Sequence, residues 1–164
     1  MANTDLPNGF KAVDFIYRPK LWPVAGSEAI AKGDIVVIDT AGRIALATTS
    51  STQVVGVAAS SVAATAAAGD SIWVYDNPAQ HFEAQCSGNG ALADPYTTRS
   101  SAACFDMEGT TGIMEIDEND NTTDLIKILG VGKDPITGQE SAVGANQRKI
   151  CMFNPLFHMF GTIA

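Results

Sequence analysis

The chain has 164 residues, 46% of them hydrophobic, with 10 basic and 18 acidic side chains and a formal net charge of −8. It is long enough to bury a core of its own and too apolar for global disorder. The few, scattered Lys and Arg exclude the clustered basic surface that phosphate binding needs, and the acidic balance argues against nucleic-acid and anionic-membrane partners.

The closest basic pair, Arg148-Lys149, reads as a solvated strand edge. Three cysteines, Cys86, Cys104 and Cys151, lie far apart, with no CxxC and no Cys/His ligand spacing. An odd, dispersed set points to buried or semi-buried thiols in a reducing compartment rather than to a disulfide framework. The opening "MANTDLPNGF" lacks a charged start followed by an apolar run, and no apolar stretch approaches the roughly 20 residues that span a bilayer.

Residues 1–33 show no clear period. Pro7, Pro19 and Pro23 alternate with Gly9, Gly26 and Gly33, so regular elements must be short. The segment is nevertheless apolar, with Phe10, Phe15, Ile16, Tyr17, Leu21 and Trp22, and reads as an extended arm that needs a surface to dock on. Residues 34–164 read as a β-barrel-like domain with a C-terminal apolar tail.

Strand signals begin at "GDIVVID", a β-branched run with apolar residues on both faces, which predicts cover on both sides. "TAGR" supplies a turn and "IALA" the return arm. "QVVGVAA" follows, with Gly56 marking a bulge or a close backbone approach. "SSVAATAAAGD" is open between a short helix and a small-residue loop or strand.

"SIWVYD" puts Trp73 and Tyr75 on one face and Ile72 and Val74 on the other, and both aromatics are expected to be buried. "HFEAQ" alternates, so one of its faces is wet or near an interface. A Gly/Ser/Thr-rich loop with short strands follows. "GIMEID", "DLIKILGVG" and "RKICMFN" are the closing strands, and "NPLFHMFGTIA" is the tail. The predicted fold class is all-β: a small β-barrel or sandwich with an extended N-terminal arm and few or no helices.

Chemistry is sparse. His81 and Glu83 share a strand face and form a conceivable acid/base pair, with Cys86 nearby. A catalytic site also needs a nucleophile in reach and an oxyanion site, and the spacing supplies neither. His158, between Phe157 and Met159, reads as a packing or interface residue. "EIDENDNTTD" matches an EF-hand at Asp117, Asn119 and Asn121, but Thr122 replaces the required glycine and Ile128 the bidentate Glu. An Asx-stabilised turn is the better reading. "GVGKDPITG" and "CSGNGA" lack the P-loop and dinucleotide patterns, and no GxSxG occurs.

The order of these segments resembles the head decoration, or capsid cement, proteins of tailed bacteriophages. Four stretches carry the resemblance: "MANTDLPNGFKAV"; "KGDIVVIDTAGRIALA" with "VVGVAA"; "YDNPAQHFEAQ"; and "MEIDENDNTTDLIKILGV" followed by "RKICMFNPLFH". They span most of the chain. The stretch "DFIYRPKLWPVAGSEA" departs from the group in being richer in aromatics and proline.

The resemblance implies a small β-barrel-like domain, often trimeric, assembled in the host bacterial cytoplasm and bound to the outside of a capsid. Its partners would be the major capsid protein and further copies of itself. It implies no catalysis and no cofactor. The residues expected at the interface are Phe10, Phe15, Tyr17 and Trp22 on the arm and Leu156, Phe157, Met159 and Phe160 on the tail. On this expectation residues 2–22 are separable from a folded barrel.

The turn reading of the acidic run has a direct check. A chelator is expected to leave the melting temperature unchanged; a fall of several degrees, restored by calcium, would show that the run holds a metal.

Overall fold

The computed structural model describes residues 5–87, 89–90, 104–117, 125–155 and 158–160. Every regular element among them is a β-strand, and the fold is all-β. The strands are β1 (Lys11–Val13), β2 (Lys20–Pro23), β3 (Ile35–Ile38), β4 (Ile44–Leu46), β5 (Gly56–Ala58), β6 (Ser71–Tyr75), β7 (His81–Gln85), β8 (Asn89–Gly90), β9 (Cys104–Glu108), β10 (Glu115–Asp117), β11 (Ile126–Val131), β12 (Gly144–Ala145) and β13 (Arg148–Phe153).

They form two main antiparallel sheets. One runs β2-β6-β5-β3-β4, the other β1-β7-β13-β11-β9-β10, and β8 pairs with β12. The "TAGR" turn closes the β3–β4 hairpin. The Asp39 carboxylate accepts the Ala41 and Arg43 amides at 2.8 Å each, an Asx turn that fixes the register Ile38↔Ile44.

The five-stranded sheet bends until its edges meet. Just past β2, Val24 forms a parallel bridge with Ile44 of β4, and the Ala25 amide donates to the Ile44 carbonyl at 2.8 Å. Closure of this kind removes two exposed strand edges. Inside lie Val24, Ile30, Val36, Ile44, Val55, Ala58, Ile72 and Val74, all almost fully buried. The Ala/Ser-rich stretch forms no helix. Ser27 and Ile30 bind Ala66 and Val62 through the backbone, and the side chains of Val62 and Ala66 pack against this core. Tertiary contacts override the helix propensity of the alanines there.

A second core lies between the two sheets. It includes Phe10, Ile35, Val57, Phe82, Met114, Ile126, Cys151 and Phe153. β3 serves both cores: Ile35 and Val37 face the second, Val36 and Ile38 the first. The double-faced apolar reading of "GDIVVID" therefore holds. One buried charge organises this junction. Asp34 is fully buried, and its carboxylate accepts the Ala31 and Gly112 amides at 2.7 Å each. Burial pushes its carboxyl up from the usual range, and those two bonds oppose the shift.

The arm contributes to both sheets. β1 pairs with β7 in the register Ala12↔Phe82, and β2 pairs with β6 in the register Leu21↔Trp73. Phe10, at 3% exposure, sits in the second core 6.5 Å from the Phe153 ring. Removal of residues 2–22 would take β1 from one sheet and most of β2 from the other.

Arg148-Lys149 also corrects an expectation. β13 lies between β7 and β11, so the pair is interior to its sheet, and both residues are buried. An Arg148 Nη2–H donates to the Leu6 carbonyl at 2.6 Å, while Lys149 Nζ has no hydrogen-bond partner among the described residues. Two flanking strands, invisible from a dipeptide, are the reason.

Gly56 marks a close approach. A Cβ there would collide with the Tyr75 carbonyl of β6, whereas one at Gly42, in the exposed hairpin turn at φ +78°, meets nothing within 4 Å. Gly56→Ala is expected to cost about 3 kcal/mol through backbone displacement. Gly42→Ala should cost about 1 kcal/mol through left-handed strain alone. Denaturant melts of both variants give the comparison, and equal losses would refute it.

Candidate interaction surface

The stretch between β6 and β7, with β7 itself, fastens the arm through a series of polar side chains. Asp76, 3% exposed, accepts the Trp22 indole N–H at 3.2 Å and pairs with Lys20 at 3.1 Å. Asn77 shapes the turn by accepting the Ala79 amide at 2.8 Å. Gln80 is fully buried; its Oε1 accepts the Tyr17 amide at 2.9 Å, and its Nε2 donates to the carbonyls of Val13 at 3.2 Å and His81 at 2.7 Å. Gln85 accepts the Leu6 amide at 2.8 Å and donates to Asp5 and Glu115.

His81 meets Asp14 rather than Glu83: its Nδ1 lies 2.9 Å from the Asp14 carboxylate. Glu83 instead accepts the Lys133 amide at 3.2 Å and lies 3.9 Å from an Arg148 Nη1. Cys86 is enclosed in the core between the sheets. The three residues of the conceivable catalytic group therefore have separate surroundings. Cys151 is in the same core, where burial, and to a lesser extent the charge of Glu83, pushes its thiol up.

These clamps hold a set of apolar side chains outward. Between the bonds at Val13 and Tyr17, the chain turns with Asp14 at φ 59° and presents Phe15 at 73% exposure and Ile16 at 56%. The Phe15 ring stacks edge-on against Tyr17 at 5.1 Å. On β2, Leu21 is 56% exposed, and across the β2–β6 pair Trp73 is 44% exposed.

Trp73 overturns the expectation that it is buried. Strand alternation sends Ile72 and Val74 into the closed sheet and Trp73 to its outer wall. Tyr75, on the same face as Trp73, reaches the second core and lies half-buried, 6.5 Å from Phe82. A shallow hollow of about 410 Å³ is lined by Trp73, Leu21, Pro19, Arg18 and Lys20.

The expected interface residues thus divide. Phe15 is exposed, Tyr17 is half-buried and Phe10 belongs to the core. Trp22 is half-buried against Phe160, with ring centroids 6.0 Å apart, and Lys20 lies 5.7 Å over the Phe160 ring. Met159, at the exposed limit, donates its amide to the Val54 carbonyl at 2.8 Å, so this part of the tail docks on its own chain. Leu156 and Phe157 lie outside the described residues, as do Asn119 and Asn121 of the acidic run; Asp117 is in β10. Sequence reasoning passed over Trp73 as a surface residue and Asp76, Gln80 and Gln85 as clamps. The cluster of Asx and Gln residues in "YDNPAQHFEAQ" was the available signal.

His158 is the tail's fastening. It is 2% exposed, bridges to Val54, lies between the Phe153 and Phe160 rings at 6.0 and 5.9 Å, and accepts the Phe160 amide on Nδ1 at 3.1 Å. Burial holds its imidazole below the usual histidine range, opposed by the Asp76 charge and a Val55 backbone contact. Between that lowered value and the ordinary one near 6.5, the unfolded chain binds the proton more readily, so stability falls as pH falls. Protonation also places a proton on Nδ1 opposite the Phe160 N–H. Acidification from pH 7 to pH 5 should lower the melting temperature and alter Trp22 fluorescence, and His158→Gln should show a much smaller acid loss than the parent. Equal acid losses in both proteins would refute this.

Comparison with protein-family models, with curated proteins and with solved structures finds no match for this chain.

Proposed function

We propose that this chain is a structural virion protein that binds the outside of a bacteriophage capsid as a decoration or cement protein and stabilises the shell by bridging neighbouring capsomers. The observation that carries this reading is the exposed apolar set Phe15, Ile16, Leu21 and Trp73, held on clamped backbone. Exposed apolar side chains such as the neighbours Phe15 and Ile16 and the cross-strand pair Leu21 and Trp73 are candidate interaction surfaces, and a surface already ordered loses little entropy on docking. The ordered resemblance of four sequence stretches to phage decoration proteins supplies the identity of the partner: the major capsid protein, with further copies of this chain completing a homotrimer. Three equivalent weak contacts on one trimer would act together as strong retention.

The exposure of Trp73 favours one second reading, a capsid-displayed carbohydrate-binding module, because sugar rings stack on aromatic faces. The hollow beside it is lined mainly by Leu21, Pro19 and cationic side chains, and it offers few side-chain acceptors for sugar hydroxyls.

Point substitutions test the proposal without removing a strand. Phe15→Ser combined with Leu21→Ser is expected to leave the melting transition cooperative and to reduce retention on phage heads by at least about tenfold, as loss of aromatic and aliphatic anchors does at other interfaces. Retention is read by co-sedimentation, and electron cryomicroscopy of decorated heads reports the trimer. Undiminished occupancy by the double variant, or monomers on the particle, would overturn the proposal. Loss of glycan-array binding on Trp73→Ala with unchanged retention would establish the second reading.

A further inference from the structure

Among the described residues the arm leaves one strand edge unpaired beside a second feature, a groove of about 370 Å³ between β1 and the closed sheet. β1 is the outermost strand of its sheet, paired on one side with β7. The direction of its free side follows from parity. The Phe10 amide points away from β7 and donates to the Gly33 carbonyl at 2.8 Å. Backbone groups two residues apart in a strand point the same way, so the amide and carbonyl of Ala12 face the groove.

The groove's walls add two kinds of side chain. Ile16 and Tyr75 make it partly apolar, and Lys11 and Lys32 are its two cationic lining residues. Both lysines are exposed, and among the described residues neither is in an ion pair. Glu83, opposite Lys11 in the β1–β7 register, is turned to the Lys133 amide and towards Arg148. Two lysines outside any ion pair among the described residues favour an acidic occupant at this groove.

We infer that this groove takes a short extended, acidic segment of a partner protein, added as a strand to the free edge of β1. Main-chain bonds to Ala12 would supply affinity, and carboxylates lying between Lys11 and Lys32 would supply selection. Three residues of strand offer a footing about 10 Å long, enough for three or four residues of the segment. The site would serve the proposed attachment to a shell, but its test needs only the purified chain. It can therefore fail while particle retention stands, and the converse.

The probe is an acetylated, amidated pentapeptide alternating valine and glutamate, followed by amide NMR. Its glutamine and lysine counterparts serve as controls. The glutamate peptide is expected to shift the amides of Ala12, Lys32 and Gly33. Lys11→Gln with Lys32→Gln should weaken it about tenfold, the sum of two exposed ion pairs. Raised salt should weaken it further, and N-methylation of alternate peptide amides should abolish binding. Equal binding of the glutamine peptide, no binding at millimolar concentration, or shifts confined to another face would overturn the inference. So would concentration-dependent shifts at Ala12 without peptide, which would identify the occupant as a second copy.

Discussion

The structure depends on a shared wall. β3 and the chain through β5 are apolar on both faces, so one pair of strands encloses the small closed sheet on one side and bounds the inter-sheet core on the other. Ile35 and Val57 face one core and Val36 and Ala58 the other, all at 1% exposure or less. A wall of this kind couples the two halves. Displacing β5 to relieve a clash at Gly56 disturbs both cores at once, because close-packed interiors transmit strain rather than absorb it. Asp34 sits at the start of this wall, and the bonds it accepts tie the closed sheet to the loop before β10.

A second constraint is the fastening of a segment that cannot hold itself. The first 33 residues are broken by prolines and glycines and form only two strands of three and four residues among those described. Such short edge strands are weak on their own. Buried amides of Gln80 and Gln85 and the carboxylate of Asp76 supply bonds that a longer strand would have made along its own ladder. Buried polar groups satisfied in this way specify one geometry, since each alternative leaves a partner unmet. The result is an arm integral to the fold that still presents Phe15 and Ile16 to solvent.

Covered and uncovered surfaces are divided by the same geometry. Among the described residues the six-stranded sheet covers the wall formed by β3 and β5 and leaves Leu21 of β2 and Trp73 of β6 exposed on the outer side. Tyr75, two residues further along the strand than Trp73, reaches the second core. The tail covers part of the remaining wall through His158 and Phe160, so Trp22 is half sheltered. The exposed surface includes Phe15, Ile16, Leu21 and Trp73, and Ile16 also lines the groove that holds Lys11 and Lys32.

Local sequence determined the strand class, the β3–β4 turn and the two-faced burial of "GDIVVID", and it marked Gly56 as a bulge or a close approach, of which the structure shows the approach. Each rests on the pleat period, on turn chemistry or on the missing Cβ of glycine, which neighbours along the chain express directly. The polar motif "YDNPAQHFEAQ" was legible as a feature but not as a clamp, because its partners at Leu6, Val13, Asp14, Tyr17 and Trp22 lie more than 50 residues away. Tertiary structure alone decided that Phe10 is core and Phe15 surface, that Trp73 is exposed, and that Arg148 and Lys149 are interior. Alternation along a strand says that two faces differ; which face is covered depends on what packs there, and that is set by pairings between strands distant in sequence.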